Sequence, residues 1–238
     1  MYYKFKGVLM KDLKFIGIGG AYALGLGGNC AYLKDDNTLL LIDCCEDATI
    51  KLKENNAFKD VKEIVIAITH THADHCAGLG TLIWYSNFLL NIKPKIISNS
   101  QSFELHLREL LKLLGVEEKF FEFVNPLNIM VDNCKIEMIP TTHTSILESF
   151  GILFTDNEGK YYYTGDTNDF ENIRNLVNNN QIKKIYCEAS WKSYNAHIEY
   201  EKLKEIKCDK LVLMHFENID LYNLAIKDGF NVAKINKE

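Results

Sequence analysis

Seven consecutive positions, Thr69-His70-Thr71-His72-Ala73-Asp74-His75, bring three imidazoles and a carboxylate into one short stretch of a 238-residue chain. They follow the β-branched run Ile64, Val65, Ile66 and Ile68, which reads as a buried strand, and they precede Cys76-Ala77-Gly78 and a helical pattern. The cluster therefore falls where a strand ends at the rim of a sheet. His70 and His72 are two apart and point the same way in extended chain, whereas Asp74 and His75, at the start of the helix, point elsewhere. One segment can thus feed two metal ions, for which histidine is the commonest ligand. If two ions of zinc type are held, about three more nitrogen or oxygen ligands must come from other strand ends.

Such residues recur at strand ends. Lys135 to Ile139 reads as a strand and leads through Pro140-Thr141-Thr142 to His143. Gly151 to Thr155 and Lys160 to Thr164 flank a turn at Asn157-Glu158-Gly159, and the second strand runs into Gly165-Asp166-Thr167. Leu211 to Met214 ends in His215. A structural role can explain one such histidine; it does not explain three residues of ligand type each placed where a strand stops.

The rest of the chain reads as alternating strands and helices. Met1-Tyr2-Tyr3-Lys4 opens on a strand pattern, and Leu13 to Ile18 is the next strand. Gly17, Gly19, Gly20, Gly25, Gly27 and Gly28 form a loop whose backbone can approach a ligand closely, but the strand-like sequence after Gly28 excludes a dinucleotide fingerprint. Strands Asn29 to Leu33 and Leu39 to Asp43 follow; Asp43 either supports a metal ligand or caps the helix Glu46 to Asn56. The helix from Leu79 to Leu90 is apolar around much of its circumference, which calls for deep burial or a subunit interface and makes a homodimer the expectation. A second helix, Phe103 to Leu114, stops at Gly115 and carries His106 as a surface or structural residue. Trp191 and Tyr194 either pack in the core or join the glycine loop as a stacking pocket.

A net charge of −5 leaves no basic footprint for long nucleic acid, while small anions stay possible because bound divalent ions supply local positive charge. No apolar stretch approaches the ~20 residues that span a bilayer and no signal region is visible, so the expectation is a cytoplasmic protein with no membrane partner. With 47% hydrophobic residues, residues 1–238 read as one domain with a substantial core. Seven cysteines without a CxxC pair argue against a disulfide framework and against a cysteine-rich zinc site. Cys76 adjoins the histidine cluster, where helix packing is the simpler account.

THTHADH, the lone His143, the TGDT at 164–167 and the terminal Met214-His215-Phe216 occur in the order seen in metallo-β-lactamase-fold hydrolases, which the chain resembles over nearly its whole length. The resemblance implies an α/β fold, an αββα sandwich of two mixed β-sheets flanked by helices, with the metal cleft at one edge. It implies that His70, His72 and His143 hold one divalent ion, that Asp74, His75 and His215 hold a second, and that Asp166 bridges them. Zn²⁺ suits these ligands best, and Mn²⁺, Fe or Co²⁺ would also fit.

Within that family the chain is more similar to the ribonuclease Z and phosphodiesterase branch. Phe15-Ile16-Gly17, Ile42-Asp43-Cys44 and above all Cys187-Glu188-Ala189-Ser190 with the downstream His197 carry this likeness, with Cys187 replacing the usual histidine of the tetrad. The likeness implies that Glu188 orients His197, which handles protons at the phosphate, and that Asp74 belongs with them in the catalytic set. Ribonuclease Z enzymes that process transfer RNA carry a long basic arm, and the interval from His143 to Asp166 has no room for one. The expectation is therefore a compact phosphodiesterase similar to the anti-Pycsar enzymes that destroy cyclic nucleotide immune signals. It would convert 3′,5′-cyclic nucleotides to 5′-monophosphates with a hydroxide shared by two ions. A transfer RNA 3′ endonuclease, a thioester or lactone hydrolase and a non-catalytic nucleotide-binding protein are the other readings.

Overall fold

The computed structural model describes residues 12–23 and 25–236; the strand pattern at Met1 to Lys4 lies outside them. One sheet holds, in spatial order, β1 (Lys14–Gly17), β2 (Cys30–Lys34), β3 (Thr38–Ile42), β4 (Glu63–Ala67), β5 (Lys95–Ile97) and β6 (Glu122–Val124). The other holds β7 (Met130–Val131), β8 (Cys134–Thr141), β9 (Ser149–Thr155), β10 (Lys160–Tyr163), β11 (Ile182–Ala189), β12 (Leu211–Phe216) and β13 (Asn231–Val232), again as successive neighbours. Both sheets are mixed. The helices are α1 (Ala48–Glu54), α2 (Ala73–Cys76), α3 (Leu79–Leu89), α4 (Gln101–Leu113), α5 (Phe170–Asn178), α6 (Tyr200–Leu203) and α7 (Ile219–Lys227). This is the layered α/β architecture of two mixed sheets flanked by helices that the resemblance implied. Among the described residues no helix is long and apolar enough to cross a membrane.

Burial patterns explain the strands. Leu39 to Ile42 in β3 and Ile64 to Ala67 in β4 are unbroken apolar runs with no solvent exposure, as expected of parallel strands covered on both faces. In β8, Cys134, Ile136 and Met138 face inward while Lys135 and Glu137 face outward, the two-residue period of a half-covered strand. The core is continuous from Phe15 and Ile16 through both sheets to Phe216. Helix α3 buries Leu79, Leu82 and Ile83 yet leaves Phe88 and Leu89 mostly exposed, so burial accounts for only part of its apolar surface.

Strand direction puts the ends of interest together. β8 and β10 are each antiparallel to β9, and β10, β11 and β12 are mutually parallel, so all four finish at the same end of their sheet. β4 of the other sheet reaches that end as well, where the Phe150 amide donates to the Thr69 carbonyl at 2.9 Å. The amide of Gly20 donates to the Phe216 carbonyl at 2.9 Å, tying the glycine loop to β12.

Gly165 makes this junction possible. Its φ of 59° lies in the left-handed region, and a Cβ there would stand 2.7 Å from the Phe150 carbonyl oxygen and 3.0 Å from the Thr69 Cβ. Both the conformation and the space exclude a side chain. Gly165→Ala should lower unfolding stability by more than ~1 kcal/mol in a denaturant titration; a change within experimental error would show that the junction tolerates a methyl group.

Candidate metal centre

His70 and His72 lie just beyond β4, Asp74 and His75 open α2, His143 follows β8, Asp166 follows β10, and His215 is the penultimate residue of β12. All seven side chains meet at the shared end of the sheets. His72 Nδ1 lies 3.0 Å from His70 Nε2 and 3.1 Å from His143 Nε2. One ring nitrogen has a single lone pair or a single proton and cannot satisfy both neighbours. Asp166 Oδ2 stands 3.8 Å from His70 Nε2 and 3.8 Å from His143 Nε2. Its other oxygen, Oδ1, is 3.4 Å from His75 Nε2 and 3.3 Å from His215 Nε2, and Asp74 Oδ2 lies 3.4 and 3.6 Å from those same two nitrogens. Ligands ~2.0–2.1 Å from a tetrahedral zinc would stand roughly 3.3 Å apart. The inward contacts run from 3.0 to 3.8 Å and so bracket that spacing, within one group of His70, His72, His143 and Asp166 and another of Asp74, His75 and His215, beside which Asp166 Oδ1 lies.

Hydrogen bonds on the far side of three of the rings fix which nitrogen faces inward. His75 Nδ1 donates to Asp43 Oδ2 at 2.9 Å. His70 Nδ1 donates to Thr69 Oγ1 at 3.0 Å, and that hydroxyl donates in turn to Asp43 Oδ1 at 2.9 Å. His143 Nδ1 donates to the Ala196 carbonyl at 2.7 Å. Each bond leaves Nε2 as a bare acceptor pointing at the cluster, the tautomer a cation requires. Correspondingly, His75 Nε2, His215 Nε2 and Asp166 Oδ1 are buried with no hydrogen-bond partner. Orphaned polar atoms are costly in a protein interior, and here they converge. The residues present therefore fit a pair of divalent cations, and the chain binds divalent metal.

Electrostatics agree. Burial opposes ionisation of Asp166, but His215 and His75 outweigh it and hold the carboxyl well below the usual range. Asp74 is likewise lowered against the pull of burial by its bonds to His215 and His75. His70, His72 and His143 are pushed below the ordinary imidazole range, chiefly by burial, so their lone pairs are free. Burial works the same way on His75, but Asp166 and Asp43 reverse it and raise that imidazole.

Beside the cluster lies a second pair. Glu188, fully buried in β11 at a register shift, accepts from the Thr167 amide at 2.6 Å and from His197 Nδ1 at 2.7 Å. His197 Nδ1 is also 3.9 Å from Asp166 Oδ2. Burial disfavours the imidazolium, yet Glu188 and then Asp166 push the His197 pKa up to about 9. Its Nε2 is left for a cavity of about 740 Å³ that opens over the cluster.

Several expectations resolve here. Asp43 holds His75 and Thr69 and does not cap α1, which begins after Asp47 with no side-chain cap. Cys76 Sγ donates to the His72 carbonyl at 3.2 Å, away from the cluster, and His106 is exposed on α4. Tyr194 lines the cavity, but Trp191 does not; its indole nitrogen donates to Asn218 Oδ1, the cap of α7, at 3.2 Å. Tyr22, Glu46 and Glu217 also line the cavity and were not singled out from the sequence; an aromatic inside the glycine loop was the only signal for the first. Between His143 and Asp166 the chain is the β9–β10 hairpin alone, with no arm.

A metal cluster on these strand ends defines a metal-dependent hydrolase of the metallo-β-lactamase fold. The metallo-β-lactamase fold protein YhfI from Bacillus subtilis superposes with a TM-score of 0.67 at 16% identity, covering 94% of this chain and 95% of that one. The family is narrower: the model for Anti-Pycsar protein Apyc1 matches residues 11–233, and the chain belongs to that family. The Anti-Pycsar protein Apyc1 of Saccharibacillus brassicae is 25% identical over 219 residues, spanning 86% of this chain and 89% of the relative. That of Bacillus phage BSP38 is 26% identical over 183 residues, spanning 66% and 68%.

Losing the Asp43 carboxylate charge should loosen His75 without removing a ligand. Asp43→Asn should weaken metal binding ~10–100-fold in competition with a chromophoric chelator; unchanged affinity would mean that Asp43 only shapes the turn.

Proposed function

We propose that the chain is a dinuclear metal-dependent phosphodiesterase that opens 3′,5′-cyclic nucleotides to 5′-monophosphates. The observation that carries this reading is the Glu188–His197 pair set against the bridging carboxylate, because an expelled alkoxide needs a proton and thioesters do not call for one so placed. Membership of the Anti-Pycsar protein Apyc1 family supports the same substrate class, given the likeness to enzymes that destroy cyclic nucleotide signals.

In this reading His70, His72 and His143 would hold one ion, Asp74, His75 and His215 would hold the other, and Asp166 would serve both. The nitrogen-rich set favours Zn²⁺, with Mn²⁺ as a substitute. Bound ions at this spacing supply an activated water at neutral pH and neutralise charge on the phosphoryl oxygens. His197, protonated and oriented by Glu188, faces the cavity with Nε2 and gives its proton to the departing 3′ oxygen as the phosphorus–oxygen bond breaks. The incoming water oxygen ends on the 5′-phosphate. Glu46 and Glu217 on the cavity wall add negative charge beyond the ligands, which favours a diester with one charge over a polyanion. The absence of an arm between β9 and β10 points away from transfer RNA in the same way. The mostly exposed Phe88 and Leu89 of α3 support a homodimer. We take residues 1–238 as a single domain working in the cytoplasm.

Purified protein loaded with Zn²⁺ or Mn²⁺ should convert cyclic AMP, GMP, CMP or UMP to 5′-monophosphates on chromatography while leaving a precursor transfer RNA intact. Asp74→Ala and His75→Ala should lose metal and activity together, whereas His197→Ala should keep both ions and lose ~10²–10⁴-fold in rate. Glu188→Gln removes the charge that raises His197, so the alkaline limb of the rate profile should move to lower pH. Full activity of His197→Ala, or cleavage of the RNA alone, would overturn the assignment.

A further inference from the structure

Two aromatic rings on the cavity wall have no structural duty. Tyr22 is 90% exposed and Tyr194 is 68% exposed, and among the described residues neither ring packs against another aromatic ring. Both nevertheless line the cavity over the metal cluster, each from a different loop. Exposed aromatic surface of this size gains nothing from burial in the free protein, so its place in a concave site points to a ligand.

The two loops are held firmly. Tyr22 sits in a turn closed by the Ala23 amide donating to the Gly20 carbonyl at 3.0 Å, and Gly20 is itself bonded to Phe216, next to His215. Tyr194 and Asn195 have φ of 48° and 57°, a left-handed pair of non-glycine residues that costs free energy and persists only where surroundings enforce it. Here they do: Asn168 Nδ2 donates to the Asn195 carbonyl at 2.6 Å, and the next carbonyl, of Ala196, accepts from His143. The strained turn thus ties the loop that carries Tyr194 to His143 and Asn168. Trp191, in the same loop, is fastened to Asn218 and is unavailable.

We propose that Tyr22 and Tyr194 form the base subsite, stacking on the nucleobase of a substrate whose phosphodiester lies on the metal cluster. The assignment rests on the phosphodiesterase reading and adds which residues grip the part of the substrate that does not react. Stacking uses the π-face that every base has, so these rings set affinity for a nucleotide over a diester without a base.

The test compares wild type, Tyr22→Ala, Tyr194→Ala and the two Tyr→Phe variants, all metal-loaded, on cyclic AMP and on the matched abasic 3′,5′-cyclic phosphate. Each alanine variant should raise KM for cyclic AMP on the order of 5- to 100-fold with little change in kcat, while phenylalanine restores it. KM for the abasic compound should stay put. Uncharged adenosine should shift the Tyr22 and Tyr194 ring resonances of the wild type, a readout independent of turnover. Unchanged KM for cyclic AMP in both alanine variants would overturn the subsite, as would an equal rise for the abasic compound. A wild type that cleaves another diester but no cyclic nucleotide would overturn the cyclic nucleotide assignment itself, and the base subsite with it.

Discussion

A carboxylate with no exposure to speak of, Asp166, stands among the inward nitrogens of His70, His75, His143 and His215, and the arrangement of both sheets serves to put it there. An ionised group removed from water costs several kcal/mol unless opposite charge compensates it. Protons on the imidazoles can do this only in part, because His70, His72 and His143 are themselves too buried to hold them. Cations held among these groups would satisfy the three orphaned atoms of the cluster, His75 Nε2, His215 Nε2 and Asp166 Oδ1, at once. The same demand explains the strained backbone nearby: Asp43 and His215 adopt φ of 60° and 50°, left-handed for residues that normally avoid it, and each turns a side chain into the cluster or onto a ligand.

Much of the centre was legible in the sequence for a local reason. Three histidines and an aspartate in one turn are dense enough to be read without a fold, and His143, Asp166 and His215 follow strands whose apolar runs are clear. What could not be read are the partners. Asp43 looks the same whether it caps α1 or holds His75, because the choice depends on a left-handed turn that nothing in Ile42-Asp43-Cys44 announces. The Glu188–His197 pairing was implied by the resemblance, but not that Glu188 lies within β11, beside a register shift against β12. Tyr22 was hidden among glycines, and of Trp191 and Tyr194, named together, only Tyr194 lines the cavity, while the Trp191 indole bonds to Asn218. For α3 the expectation was deep burial or a subunit interface: Leu79, Leu82 and Ile83 are covered while Phe88 and Leu89 are not, a split that periodicity cannot foresee in a helix apolar around much of its circumference.

The centre divides into rigid and displayed parts. The candidate ligands are carried by strand ends and by α2, whose positions follow from the core. The groups that would meet a substrate, His197, Tyr194 and Tyr22, are carried by loops, but by loops hydrogen-bonded to the ligands or to their neighbours. His143 and the His197 loop share the Ala196 carbonyl, and the glycine loop shares Phe216 with the strand of His215. The candidate ligands and the loops over the cavity are thereby joined through short, direct contacts, with Glu188 tying His197 to the TGDT turn through the Thr167 amide.

Because the proposed centre depends on one buried carboxylate, Asp166, serving two sites, the most direct measurement is anomalous diffraction at the metal edge from crystals of the metal-loaded protein. Two peaks ~3.5–4 Å apart, one toward His70, His72 and His143 and the other toward Asp74, His75 and His215, with Asp166 contributing one oxygen to each, are predicted. A single peak, or two that do not share Asp166, would contradict the account.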